Sequence, residues 1–216
     1  MKDQLVKGIP KIEDLTNIKV IPNPINFSLI KEKENQVFNE NLPDKFIVSA
    51  GRLIHEKGYD ILINAFAKLK PDFPNFKLLI LGEGKLREEL SNQIASLNLE
   101  NEVILQGFVQ NVYPYFKSAT ACVVSSRVEG FPNVLLQMMS QNSRVVSTTC
   151  AGGIDEIPGI QLSETNNENS LKEAIYSALT SKNNSRGLFD EYLKNRDLSS
   201  FFKNVNHSLN NAKKNN

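Results

Sequence analysis

Tryptophan is absent from this 216-residue chain, and cysteine and histidine occur only twice each. Two cysteines are too few for a disulfide framework. Cys122 and Cys150 both sit in apolar, strand-like surroundings that suit reduced core thiols. His55 and His207 are too few and too far apart for a zinc centre, so no metal ligands are expected. No apolar run reaches the roughly 18 residues that a membrane span needs. The opening stretch MKDQLVKGIPKIEDL has no signal-peptide core. An excess of one charge is lacking too: 25 basic and 24 acidic residues leave a net charge of +1, which is no nucleic-acid footprint. These absences predict a cytoplasmic location, reaching at most to the inner membrane surface as a peripheral contact, and no nucleic-acid partner.

What is present is an ordinary globular composition, 40% hydrophobic and 23% charged, able to bury a core. Residues 1–42 read as an arm or linker. KVIPNPINF holds one short apolar run and two prolines, which bias their neighbours to extended geometry, and KEKENQ is charged and polar. Over 43–185 the pattern alternates. Strands are predicted at 45–50, 76–81, 102–107, 120–126 and 144–149, with a weaker one at 160–162. Helices are predicted at 59–70, 85–97, 112–118, after Pro132, and at 168–180. The first of these places Ile61, Leu62, Ala65, Phe66 and Leu69 at helical spacing. Strands apolar on both faces, alternating with helices, predict a parallel sheet covered on both sides. That is an α/β, Rossmann-like, doubly wound domain. A C-terminal amphipathic helix is expected over 186–209, with a stripe of Leu198, Phe201, Phe202, Val205 and Leu209 behind an Asp197 cap, and a frayed tail over 210–216.

In such a sheet, ligands bind beyond the carboxyl ends of the strands. Four loops of this sequence end there. In SAGRLIHEKGYD, Gly51 permits a close backbone approach, and Arg52 and Lys57 stand beside a helix start, a natural clamp for a diphosphate. In LGEGKLREEL, Gly82 and Gly84 flank Glu83, but Arg87 stands where the third glycine of a dinucleotide fingerprint belongs. There a backbone open to close ligand approach is the modest expectation. The turn QGFVQN can present Gly107, Phe108 and Val109 to a planar base. In SSRVEGFPNVLLQ, Pro132 suits the first turn of a helix, leaving free N–H groups around Phe131 to Val134, and Glu129 is placed to accept from hydroxyls.

Taken in order, GRLIHEKGYD, LGEGKLREEL, GFVQNVYPYF, SSRVEGFPNVLL and CAGGIDEI resemble the C-terminal donor-binding half of family 4 (group 1) retaining glycosyltransferases of the GT-B fold. The resemblance runs from VIPNPI (20–25) to STTCAGGIDEI (147–157). It implies a nucleotide diphosphate sugar, UDP- or GDP-linked, as donor substrate, with no other cofactor and a saccharide or lipid-linked acceptor. It also implies an N-terminal GT-B domain that this chain lacks or meets on another chain. The sequence carries no D-x-D motif, in keeping with the metal-independent mode of that fold.

Role by role, the resemblance makes Arg52 and Lys57 the diphosphate pair and Glu129 the sugar-hydroxyl acceptor. Phe131, Pro132 and Asn133 become the sugar and phosphate cradle, and Gly107 to Val109 the base turn. Position 137 matches the second acid of an E-x7-E motif, which grips the ribose, and here it is Gln137. A carboxylate accepts from both ribose hydroxyls, whereas an amide offers one acceptor and one donor. Losing that charge-assisted bond costs on the order of 1–2 kcal/mol of donor binding. A non-catalytic or decayed nucleotide-sugar-binding module is therefore the alternative expectation. The implied function is sugar transfer, in the setting of surface polysaccharide synthesis.

Overall fold

The computed structural model describes residues 20–36, 38 and 40–214, with isolated positions 6, 8, 9, 11, 12 and 18 before them. Among these, six strands follow in chain order: β1 Phe46–Ala50, β2 Lys77–Leu81, β3 Val103–Gly107, β4 Ala121–Val124, β5 Val145–Thr148 and β6 Gln161–Ser163. They form one parallel sheet in the order β3-β2-β1-β4-β5-β6. The order reverses between β1 and β4, where Ile47 pairs with Ala121 and Val48 with Cys122. Chain connections leave in opposite directions at that point, and a crevice opens above the carboxyl ends of the two strands.

Side chains alternate across the sheet with period two, and each set finds its own helices. Ile47, Leu78, Ile80, Val123 and Val146 face one layer, built from α2 (Tyr59–Leu69), α3 (Arg87–Ser96) and α6 (Glu168–Thr180). Phe46, Val48, Leu79, Leu81, Cys122 and Val145 face the other, built from α1 (Phe27–Glu34), α4 (Tyr113–Ser118), α5 (Asn133–Gln141) and α7 (Arg186–Lys194). Each fully buried Leu, Ile or Phe adds roughly 1.5–3 kcal/mol, so a strand apolar on both faces is driven to the middle of three layers. On α2, Ile63 takes the buried place that spacing assigned to Ile61, which is only partly covered. Cys122 and Cys150 are buried and unpaired, and burial pushes both thiols up.

Both ends of the chain depart from expectation. The arm is not extended throughout: FSLIKEKE forms α1, capped by the Asn26 side chain accepting from Leu29 N–H at 3.0 Å. Ile25 and Ile30 enter the core, and Phe38 packs edge-on against Tyr115. Most of residues 1–19 lie outside the described residues. At the other end, two helices replace the single one expected over 186–209. The Asp197 carboxylate accepts from Ser200 N–H at 2.6 Å and starts a new helix, α8 (Leu198–Lys214). Helix α8 takes in residues expected to fray, and 215 and 216 lie outside the described residues. Phe189 and Leu193 of α7 are buried, whereas Phe202 and Leu209 of α8 are 59% and 57% exposed. No helix among the described residues is long and apolar enough to cross a membrane.

Candidate active site

A cavity of about 530 Å³ opens at the β1/β4 switch point. Of the residues singled out from sequence, Gly51, Arg52, Lys57, Gly82, Phe108, Val109, Glu129, Phe131, Pro132, Asn133 and Gln137 line it. Gly107 lies just outside, and its carbonyl accepts from Gly82 N–H at 2.7 Å. Glu83, Val112 and Val134 also contribute to the wall.

Each side chain arrives from the end of a strand. Arg52 follows β1, is exposed, and its guanidinium has no partner among the described residues. Lys57 closes a short 3-10 turn, His55–Lys57, and Gly58 then begins α2 in the left-handed region at φ +63°. A Cβ at Gly58 would stand 2.2 Å from the Ser125 carbonyl oxygen, so this position admits glycine alone. Glu129 comes from the loop after β4. Its Oε1 accepts from Lys57 Nζ at 2.5 Å and from Ser126 Oγ at 2.9 Å. No described residue donates to its Oε2.

These two loops are joined by a residue that the sequence reading passed over. Arg127 places both terminal nitrogens on Asp60, at 2.8 and 2.6 Å, and also donates to the His55 carbonyl at 2.8 Å. Its backbone N–H donates to the Glu56 carbonyl at 2.8 Å, and Ser125 Oγ donates to the Lys57 carbonyl at 2.9 Å. Burial pushes the Asp60 carboxyl up, but the Arg127 hydrogen bonds and charge outweigh that and hold it below its usual value. The available signal was an arginine two residues before Glu129 with an aspartate just inside a facing helix. Without the fold, nothing paired them.

The glycines of LGEGKLREEL also hold one loop against another. A Cβ on Gly82, at φ +140°, would lie 2.0 Å from the Gly51 carbonyl oxygen. The loops after β1 and β2 are laced together there, Leu53 N–H donating to the Glu83 carbonyl at 2.9 Å and Leu86 N–H to the Leu53 carbonyl at 3.1 Å. Gly82 thus lines the cavity and also lets loop approach loop.

The remaining wall is looser. Phe108 stands 79% exposed at the rim. Gln137, half-buried on α5, donates its amide to the Tyr113 hydroxyl at a long 3.4 Å. Burial pushes the Tyr113 phenol up, offset in part by that bond. Pro132 is the residue before α5 rather than within its first turn, and no side chain caps the helix. Asn133 and Val134, which open α5 without a side-chain cap, line the cavity at the positive end of the helix dipole. Two further contacts reach this rim: Asn23 donates to Asn133 Oδ1 at 2.8 Å, and the Arg196 guanidinium lies 5.5 Å from the Phe131 ring.

Comparison with known proteins agrees with this architecture. The sequence model described as "Glycosyl transferases group 1" matches residues 30–196. A Campylobacter jejuni relative is 42% identical over 142 residues, 64% of this chain and 38% of its own length. It is named N-acetylgalactosamine-N,N'-diacetylbacillosaminyl-diphospho-undecaprenol 4-alpha-N-acetylgalactosaminyltransferase. An uncharacterized glycosyltransferase of Methanocaldococcus jannaschii is 34% identical over 153 residues, 68% of this chain and 38% of its own. The chain thus spans 38% of the length of both relatives. Among solved structures, Anabaena HepE in complex with UDP shares the fold, with a TM-score of 0.76 at 21% identity over 89% of this chain and 57% of that one.

Proposed function

The chain belongs to the group 1 glycosyltransferases, and from that membership we propose that residues 43–185 are the donor-binding half of a retaining GT-B enzyme. The observation that carries this is the convergence of Arg52, Lys57, Glu129 and the α5 N-terminus on one cavity at the β1/β4 switch point. The donor is a nucleotide diphosphate sugar, UDP- or GDP-linked, a choice favoured by UDP in the Anabaena neighbour. As the bond from the anomeric carbon to the diphosphate breaks, negative charge builds on the departing oxygen. Arg52, Lys57 and the α5 amides are positioned to meet it. Glu129 Oε2 accepts from sugar hydroxyls, and the Gly107–Val109 turn, with Phe108 foremost, meets the base.

The acceptor is a saccharide carried on a lipid, a class suggested by the diphospho-undecaprenol in the Campylobacter relative's name. Transfer needs an N-terminal GT-B domain, supplied by chain outside these residues or by another chain. Such chemistry belongs on the cytoplasmic side of the inner membrane, in surface polysaccharide synthesis. Gln137 favours a second reading, a module that binds donor without transferring sugar.

Calorimetry with UDP, GDP and their sugar conjugates tests the first step. Arg52→Ala lowers affinity for nucleoside diphosphate by roughly tenfold, the loss of one charged hydrogen-bonded contact, and leaves the melting temperature unchanged. Failure of the wild type to bind any of these ligands refutes the donor cavity. Sugar transfer with an N-terminal half added separates the enzyme from the binding module.

A further inference from the structure

We propose that Glu129 makes this site discriminate a nucleotide sugar from the bare nucleoside diphosphate, by opposing the diphosphate unless sugar hydroxyls occupy its second oxygen. The inference rests on the donor-cavity reading above. Four charged side chains line the cavity, Arg52, Lys57, Glu83 and Glu129, so cations and carboxylates balance. Glu83 has its own cation, Arg87, at 3.0 Å. Lys57, by contrast, is bound to Glu129 Oε1 at 2.5 Å, with the two side chains only 19% and 17% exposed. Solvent screens such a pair weakly, and Arg52 is left as the lining cation without a described partner.

A diphosphate that reaches Lys57 therefore also meets the Glu129 charge. Ser126 shares Oε1, at 2.9 Å, which leaves Oε2 without a described donor. Hydroxyls of a donor sugar can fill that vacant acceptor with charge-assisted hydrogen bonds and offset the repulsion. A nucleoside diphosphate without its sugar has nothing to put there. Substrate is held and product is released by the same carboxylate.

The test measures binding of UDP and UDP-N-acetylgalactosamine, or GDP and GDP-mannose, whichever pair the wild type binds, to wild type, Glu129→Gln and Glu129→Asp. Removing the charge tightens nucleoside diphosphate binding to Glu129→Gln by roughly fivefold or more. The same variant binds the nucleotide sugar no tighter than wild type. Glu129→Asp, which keeps the charge, tightens nucleoside diphosphate binding less than Glu129→Gln does. Unfolding is monitored by circular dichroism, and Glu129→Ala serves as a second neutral variant with the same expected tightening. If folded neutral variants bind nucleoside diphosphate equally or more weakly, the proposal is overturned while the donor cavity stands. A wild type that binds no member of either pair overturns both.

Discussion

The two halves of the cavity are built in different ways. Where Lys57 and Glu129 meet, two loops are locked by a bidentate ion pair, backbone hydrogen bonds and a glycine pressed against a carbonyl. Where Phe108 and Gln137 stand, an exposed ring and one 3.4 Å contact do the work. The first half holds charges that repel or attract over distance, so small displacements change energies steeply, and a rigid seam keeps them in register. The second offers shape and a stacking face, which tolerate movement and need little bracing. Preorganisation is thus concentrated where charge is handled.

Breaking the rigid half has the largest expected effect. Arg127→Ala leaves Asp60 without its partner and loosens the two loops, and because the Asp60 side chain is 39% exposed, urea denaturation reports a loss of about 1–2 kcal/mol. Because the Asp60 carboxyl is held below its ordinary value, the pair contributes fully above the unfolded value near pH 4 and is lost as pH falls through the lowered one. The gap between wild type and variant therefore closes on acidification below about pH 4. A gap independent of pH would deny the ion pair its role.

On the looser half, Phe108→Ala costs about tenfold in nucleotide affinity through lost stacking. Its melting curve stays within about 0.5 kcal/mol of wild type because the ring is so exposed. If affinity is unchanged, the base does not lie on Phe108. The smallest change is a gain: Gln137→Glu tightens nucleotide binding roughly fivefold by restoring a double acceptor for the ribose. No difference by calorimetry would remove position 137 from the ribose site.

How far the sequence could be read depended on whether a feature was local. Strand and helix positions followed from runs such as KLLIL and from the spacing of Leu62, Phe66 and Leu69, because burial on one or two faces writes a period into the chain. Lining residues were legible where several motifs stood at loop ends in a known order. Illegible features involved contacts across the chain. α1 looked like a charged linker because its buried side rests on a single described residue, Ile30. The break between α7 and α8 depends on the Asp197 cap and on Ile25 N–H donating to the Arg196 carbonyl at 2.7 Å, a partner about 170 residues away. Gly82 suggested room for a ligand and does line the cavity, but sequence cannot show that it also lies against the Gly51 carbonyl.

Apolar periodicity and the succession of loop motifs were sufficient to dictate a parallel three-layer domain, its family and the rim residues, since those depend on near neighbours along the chain. Which charges meet was settled by folding. Lys57 reaches Glu129 across 72 positions and Arg127 reaches Asp60 across 67, distances over which no local rule assigns partners. The same closure leaves Arg52 and one Glu129 oxygen without a partner among the described residues, because the fold brings the loops after β1 and β4 together at a single point.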